Sequence, residues 1–234
     1  MTRTITYKGE TFLSKGVHVD ESLTFGEPER DFEYVDVLGR SGSLALDNNR
    51  YFDIEMQIPC YIHENFPTTY RALASFLNAS GGWNELETDV EPNHFRMALY
   101  TGITEPTPTQ NTIGGLFTVN FRVHPQRYLK TGQTAVTFTA DGSIINPTRF
   151  SSKPLLRVYG QGEIGVGTET LTLSQAGTDH VDIDCDIMDA FEGSTNMNQY
   201  LTVTDFPVLQ PGTNGITLGA GITKLEIIPR WYEI

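Results

Sequence analysis

The sequence has almost no cysteine. Cys60 and Cys185 are the only two, far apart in 234 residues. A disulfide framework needs more cysteines at tighter spacing, so that class is excluded. Each thiol falls in phase with apolar neighbours: Cys60 with Ile54, Met56, Ile58 and Ile62, Cys185 with Val181, Ile183 and Ile187. Thiols in that pattern are buried and act as small hydrophobes, which implies folding in a reducing compartment. Positive charge is scarce too, with 16 Lys and Arg against 29 Asp and Glu and a formal net charge of −13. Nucleic acid is bound by clustered cations that neutralise phosphates, and no such cluster exists here. Specific nucleic-acid binding is excluded, and an acidic surface repels anionic membranes. No run of ~18 apolar residues occurs, so membrane insertion is not expected. The opening Met1–Gly9 stretch lacks the apolar run of a signal peptide, so no leader is expected. Glycine and proline, 22 and 12 residues, stay well below the ~25–30% of low-complexity chains.

What is there is alternation. Phe32–Val37, Tyr51–Ile62, Phe95–Tyr100, Leu116–Val123, Thr134–Thr139, Leu155–Tyr159, Thr170–Leu173, Val181–Ile187 and Lys224–Ile228 repeat with a period of two. Half-buried strands have that period, and Gly, Pro, Asn and Asp punctuate them. One segment differs. Phe66, Tyr70, Leu73 and Leu77 form a helical stripe, with Asn65 placed to cap it, Pro67 in its first turn and Gly81-Gly82 to end it. The fold class is mainly β, with one α-helix. A boundary is expected near Ala140–Ser143, dividing the chain into domains 1–139 and 140–234.

Candidate chemistry is sparse. Asp182, Asp184 and Asp186 match the first three acidic positions of a calcium loop, but its obligatory Gly and Glu positions hold Ile187 and Gly193. An extended strand through Val181–Ile187 would put the three carboxylates on one solvated face. His18, His63, His94, His124 and His180 show no zinc spacing and read as surface or capping residues, with His124 at a strand end before Pro125. Gly160-Gln161-Gly162 precedes strand pattern and reads as a hairpin turn. No nucleophile elbow or phosphate loop occurs, so no catalytic, cofactor-binding or metal residues are assigned. A glycosidase carboxylate pair is a matter of three-dimensional separation, which spacing does not settle. Gly39-Arg40-Ser41-Gly42 reads as a tight reversal in which Arg40 either pairs across a subunit boundary or caps the loop. Thr104–Asn111 reads as a polar, proline-containing loop.

The order of several pieces resembles the distal tail proteins of siphophages, the phages with long non-contractile tails. In the first half these are Val37-Leu38-Gly39-Arg40-Ser41-Gly42-Ser43-Leu44, Tyr70–Leu77 running into Gly81-Gly82, and Phe117–Tyr128. In the second half they are Asn146-Pro147-Thr148, Ser152–Gly162, Val181–Asp186, Asn196-Met197-Asn198, Asp205–Ile216 and Ile227–Tyr232. The resemblance implies a tail-tube-like β domain with one helix, followed by a galectin-like β-sandwich. It further implies a homohexameric ring in the virion, assembled in the host bacterial cytoplasm. That ring joins the tail tube protein to a tail-associated lysin or baseplate hub, and some members also hold receptor-binding proteins. The second domain is only long enough for one sandwich, so an inserted lectin module is not expected.

A chain of net charge −13 suits a DNA passage but makes six copies repel, so ring contacts are expected to be specific and mainly apolar. The Val37–Tyr51 hairpin is the expected ring interface, with Leu38, Leu44 and Leu46 reaching a neighbour and Arg40 pairing one of its carboxylates. An ordinary hairpin closing its own sheet is the alternative. The competing function is a carbohydrate-binding module for host cell-wall polysaccharide, with Trp231 as stacking ring unless it packs in the core.

Overall fold

The computed structural model describes residues 3–23, 26–79, 81–109 and 113–234. Two compact units divide them, 1–127 with Ile234, and 128–233.

In the first unit the strands are β1 (Ile5–Tyr7), β2 (Glu10–Thr11), β3 (His18–Val19), β4 (Arg30–Val35), β5 (Leu44–Tyr51), β6 (Ile54–Ile62), β7 (Asn84–Thr88), β8 (His94–Pro108) and β9 (Gly115–Leu129), with helix α1 (Phe66–Asn78) between β6 and β7. The main sheet runs β2-β1-β7-β8-β9-β6-β3. The β6–β9 register sets Met56 opposite Phe121, Ile58 opposite Val119 and Cys60 opposite Phe117, all buried. Directly opposed residues share a face, so this register makes one continuous apolar surface. Helix α1 covers it: Leu73 and Leu77 are fully buried, and Tyr70 stacks on Phe66 while its ring edge meets Phe117. Gly115 permits that approach, because a Cβ there would stand 2.4 Å from the Phe66 ring.

The helix ends depart from expectation. Asn65 occupies the N-cap with φ 55° but makes no side-chain cap bond; its carbonyl accepts from the Thr68 and Thr69 N–H groups. The C-terminus is reached at Asn78, before the glycines, and the Lys8 ammonium donates to the Leu77 carbonyl at 3.3 Å. A cation on the orphaned last carbonyls is a stop signal that lies far away in sequence. The expected Thr104–Asn111 loop is also corrected, since β8 continues through Pro106 to Pro108; Gln110 and Asn111 lie outside the described residues. Proline is tolerated on an unpaired strand edge, and among the described residues β7 meets β8 in register from Asn84 opposite Ala98 to Leu86 opposite Arg96, short of Pro106.

The second unit contains β10 (Val136–Phe138), β11 (Gly142–Asn146), β12 (Leu155–Gly160), β13 (Gly162–Val166), β14 (Glu169–Leu173), β15 (Val181–Asp184), β16 (Asp189–Glu192), β17 (Thr195–Asn196), β18 (Leu201–Val203), β19 (Gly212–Leu218), β20 (Ile222–Ile228) and β21 (Tyr232–Glu233). Two sheets, β10-β20-β12-β15-β16-β17 and β11-β19-β13-β14-β18, enclose an apolar core that includes Leu156, Val158, Ile164, Leu171, Ile183 and Leu225. The unit is a galectin-like β-sandwich. Gly160-Gln161-Gly162 is therefore not a hairpin turn. It carries the chain from one sheet to the other, beside the Gly219–Gly221 crossing that does the same in reverse. The two crossings touch: a Cβ on Gly160 would meet the Gly221 carbonyl oxygen at 2.1 Å, and one on Gly162 the Ala220 carbonyl oxygen at 2.6 Å.

The division between units falls twelve residues before the expected 139/140 boundary. Strand β10 pairs with β20 of the sandwich, and the 129–133 segment straps Trp231. The Leu129 N–H donates to the Trp231 carbonyl at 2.9 Å, and the Arg230 N–H donates to the Gly132 carbonyl at 2.8 Å. Those pairings tie 128–139 to the second core.

The recurrent polar motifs of this half are structural. Asn146, 2% exposed, donates to the Phe150 and Leu209 carbonyls and accepts from the Thr148 N–H and hydroxyl. Asn214 bonds the Gln210 backbone in both directions, and the fully buried Ser152 hydroxyl donates to the Pro229 carbonyl. A buried amide or hydroxyl is tolerated only with such partners.

Candidate functional site

Strands β4 and β5 pair with no other strand among the described residues. Their register sets Val35 opposite Leu44, Glu33 opposite Leu46, Tyr34 opposite Ala45 and Phe32 opposite Asp47. Side chains alternate across a pleated ribbon. One face thus carries Val35, Leu44 and Leu46, and the other carries Phe32 and Tyr34, whose rings lie 6.4 Å apart. None of these five is buried; Tyr34 is 69% exposed, Leu46 44% and Leu44 40%. Leu38, in the bend, is fully exposed. Ion pairs of Arg30 with Asp47 and of Arg50 with Asp31 lock the stem. In the bend the Arg40 N–H donates to the Val37 carbonyl at 3.1 Å, while its guanidinium has no ion pair among the described residues.

An isolated two-stranded hairpin is at best marginally stable in water. One that shows apolar side chains on both faces has no core of its own to close against. The structure gathers Leu44 and Leu46 on one face and leaves Leu38 and Arg40 in the bend. Phe32 and Tyr34, on the opposite face, are the residues that the sequence reading missed. Their alternation was visible in Phe32–Val37, but alternation is also what a half-buried strand shows.

The acidic row is corrected. Val181–Ile187 does not stay extended: β15 ends at Asp184, and each carboxylate has its own cation. Asp182 accepts from Arg157 Nε at 2.9 Å, and Asp186 accepts from Lys153 Nζ at 3.1 Å. Asp184, 8% exposed, accepts from both terminal nitrogens of Arg230 and from the Asp186 N–H. Burial pushes its carboxyl upward, but the Arg230 guanidinium and the backbone donors outweigh this and hold it below the usual carboxylate range. The solvated face is thus a set of ion pairs. Among the described residues no group of three or more His, Cys, Asp or Glu could hold a metal ion.

The histidines are likewise placed by tertiary structure. His124 is not at a strand end, because β9 runs on through Pro125 to Leu129; its ring lies 3.7 Å from that of Trp83. Burial lowers its imidazole, with Asp53 opposing. His18 and His63, distant in sequence, stand ring to ring at 4.7 Å. Both cysteines are buried free thiols, and burial pushes that of Cys185 up to about 12. Trp231 is 5% exposed within the second core, so it offers no face for a sugar ring.

No family model matches the chain, and no curated protein matches it. Solved structures do. The crystal structure of the SPP1 Dit (gp 19.1) protein, a paradigm of the hub adsorption apparatus in phages that infect Gram-positive bacteria, aligns over 100% of both chains with a TM-score of 0.69 at 15% identity. The chain has the Dit fold. Chains of the phage P2 baseplate in its activated conformation, with Ca and with Sr, cover 97% of both partners at TM-scores of 0.54 and 0.56 and identities of 9% and 10%. The Dit fold accounts for both units, since the match to SPP1 Dit leaves no part of either chain outside it.

Proposed function

We propose that this chain is a structural virion protein, a ring-forming adaptor at the distal end of a non-contractile phage tail, joining the tail tube to the hub at the tail tip. The observation that carries the reading is the full-length match to the SPP1 Dit protein together with a hairpin that shows apolar side chains on both faces. Its partners are further copies of the same chain, six to a ring, with the tail tube protein on one side and the tail-associated lysin or baseplate hub on the other. The role is structural, not catalytic, and assembly takes place in the host bacterial cytoplasm.

The hairpin supports self-association on physical grounds. Covering Phe32 and Tyr34 on one face and Val35, Leu44 and Leu46 on the other recovers hydrophobic free energy at ~25 cal/mol per Å² of apolar surface removed from water. In a closed ring every copy gives its hairpin to one neighbour and receives another, so no apolar face is left open. The contacts must overcome repulsion among chains of net charge −13, and salt screens that repulsion without weakening the apolar contacts.

Multi-angle light scattering and negative-stain electron microscopy of the purified chain test the proposal. The expected species is six times the 26.1 kDa chain, seen as a ring with a central opening. A strictly monomeric chain at all concentrations, with no ring in micrographs, overturns it.

A further inference from the structure

His18 lies on β3, the edge strand of the first sheet, directly opposite Tyr61 of β6. His63 follows Tyr61 by two positions, just past the end of β6. The pleat returns side chains to the same face every second residue, and diagonal neighbours across an antiparallel pair remain within reach of long side chains. The three rings accordingly form a triangle. His18 stacks on Tyr61 at 5.1 Å and 14°, Tyr61 meets His63 at 4.9 Å and 81°, and the two imidazoles stand 4.7 Å apart at 68°.

His63 is exposed and His18 half-buried, so solvent reaches the pair. Among the described residues neither imidazole makes a hydrogen bond or ion pair, which leaves their nitrogens available. Tyr61 packs against both rings and limits the rotamers they would lose on binding a ligand. An imidazole nitrogen binds zinc at ~2.0–2.1 Å and lies ~1.1 Å from its own ring centre, so a bound ion sits ~3.2 Å from each centroid. An ion placed on the nitrogen axis of both rings would see two centroids 4.7 Å apart at roughly 95°, between the ~90° of octahedral or square-planar and the ~109° of tetrahedral coordination.

We propose that His18 and His63 form a two-imidazole site for a divalent first-row transition ion, Cu(II), Ni(II) or Zn(II), with water completing the coordination shell. Neutral imidazole is the commonest protein ligand for these ions. The site joins the edge strand β3, which is two residues long, to the end of β6. A bound ion therefore staples the margin of the first sheet, and its binding free energy adds to the stability of that unit. The site does not depend on ring formation.

The test uses the full chain without a polyhistidine tag. Isothermal titration with NiCl₂ and with ZnCl₂ at pH 7.5 is expected to saturate at one ion per chain, and the melting temperature is expected to rise with ion concentration. Electron paramagnetic resonance with one equivalent of Cu(II) is expected to show nitrogen hyperfine structure from two imidazoles. His18→Asn and His63→Asn should each weaken binding at least tenfold, while His180→Asn leaves it unchanged. Melting in chelator shows whether the variants remain folded, and His63→Asn, at an exposed position, keeps the test valid if His18→Asn does not fold. Absence of saturable binding, or one-to-one binding that survives both substitutions, overturns the proposal.

Discussion

Asp184 and Arg230 meet through two parallel hydrogen bonds, Nη1 to Oδ1 at 2.7 Å and Nη2 to Oδ2 at 2.8 Å. The pair ties the end of β15 to the turn that delivers Trp231 to the core, where Arg230 itself adopts φ 55°. Removing one partner strands the other charge. A fully buried pair costs ~3–5 kcal/mol to break in this way. Because the Arg230 side chain keeps 27% of its exposure, Arg230→Met should cost about 2–3 kcal/mol, read from urea unfolding. Asp184 titrates lower in the fold than its ordinary value of 3.8. Its contribution is therefore complete above that value and is lost as pH falls through the lower, folded value. Asp184→Asn should flatten that acid limb of the stability profile.

The hairpin separates folding from assembly. Leu44→Asp and Arg40→Glu change exposed positions, so each should alter monomer stability by no more than about 0.5 kcal/mol. Both should yield a folded chain of native circular dichroism that fails to form rings in light scattering. Tyr34→Ser, on the opposite face of the ribbon, should have the same effect if both faces are covered. Rings of unchanged stability in all three variants would place the interface elsewhere.

His124 provides a pH readout near neutrality. Its imidazole titrates below the ordinary value of 6.5 because burial disfavours the charged form. The stability it contributes is complete above 6.5 and declines as pH falls through the folded value, since protonation then favours the unfolded chain. The Trp83 indole touches this ring, and an imidazolium quenches indole fluorescence. Emission should fall on acidification with a midpoint below 6.5, and His124→Gln should abolish the transition while leaving the buried Trp231 signal.

Two glycines of the sandwich should respond oppositely to alanine. Gly160 has φ 102° and its added Cβ would collide with the Gly221 carbonyl oxygen, so Gly160→Ala should cost about 3 kcal/mol or more. Gly215, in strand β19, has nothing within 4 Å of an added Cβ. Gly215→Ala should be neutral or stabilising by roughly 0.5–1 kcal/mol, because alanine loses less conformational entropy in a strand. Thermal melts of the two variants check the contrast.

Much of the fold was legible in the residues. Alternation located β4, β6, β9, β12, β14, β15 and β20, and the 3.6-residue stripe located α1. The phase of Cys60 and Cys185 with their apolar neighbours told that both are buried. Of the candidate site, the bend at Gly39–Gly42 and its flanking leucines were legible as a hairpin, but not as one without a third strand. Strand partners are chosen by chain closure over long distances, and the spacing of residues within one segment carries no record of them.

For the strands that line the two cores, the sequence by itself determined which side faces inward, because that choice is local: it follows from the side-chain period and the free energy of burying apolar surface. For β4 and β5 the same alternation named a side that no core covers. Only the tertiary structure decided which segments meet. It turned Gly160–Gly162 from an apparent hairpin into a passage between sheets, and broke the acidic row by giving Asp182, Asp184 and Asp186 three separate cations. It moved 128–139 into the second unit through β10 and the Trp231 strap, and set His18 beside His63. Each of these depends on pairing between segments remote in the chain, where the entropy of closing the loop is weighed against contacts that exist only after closure.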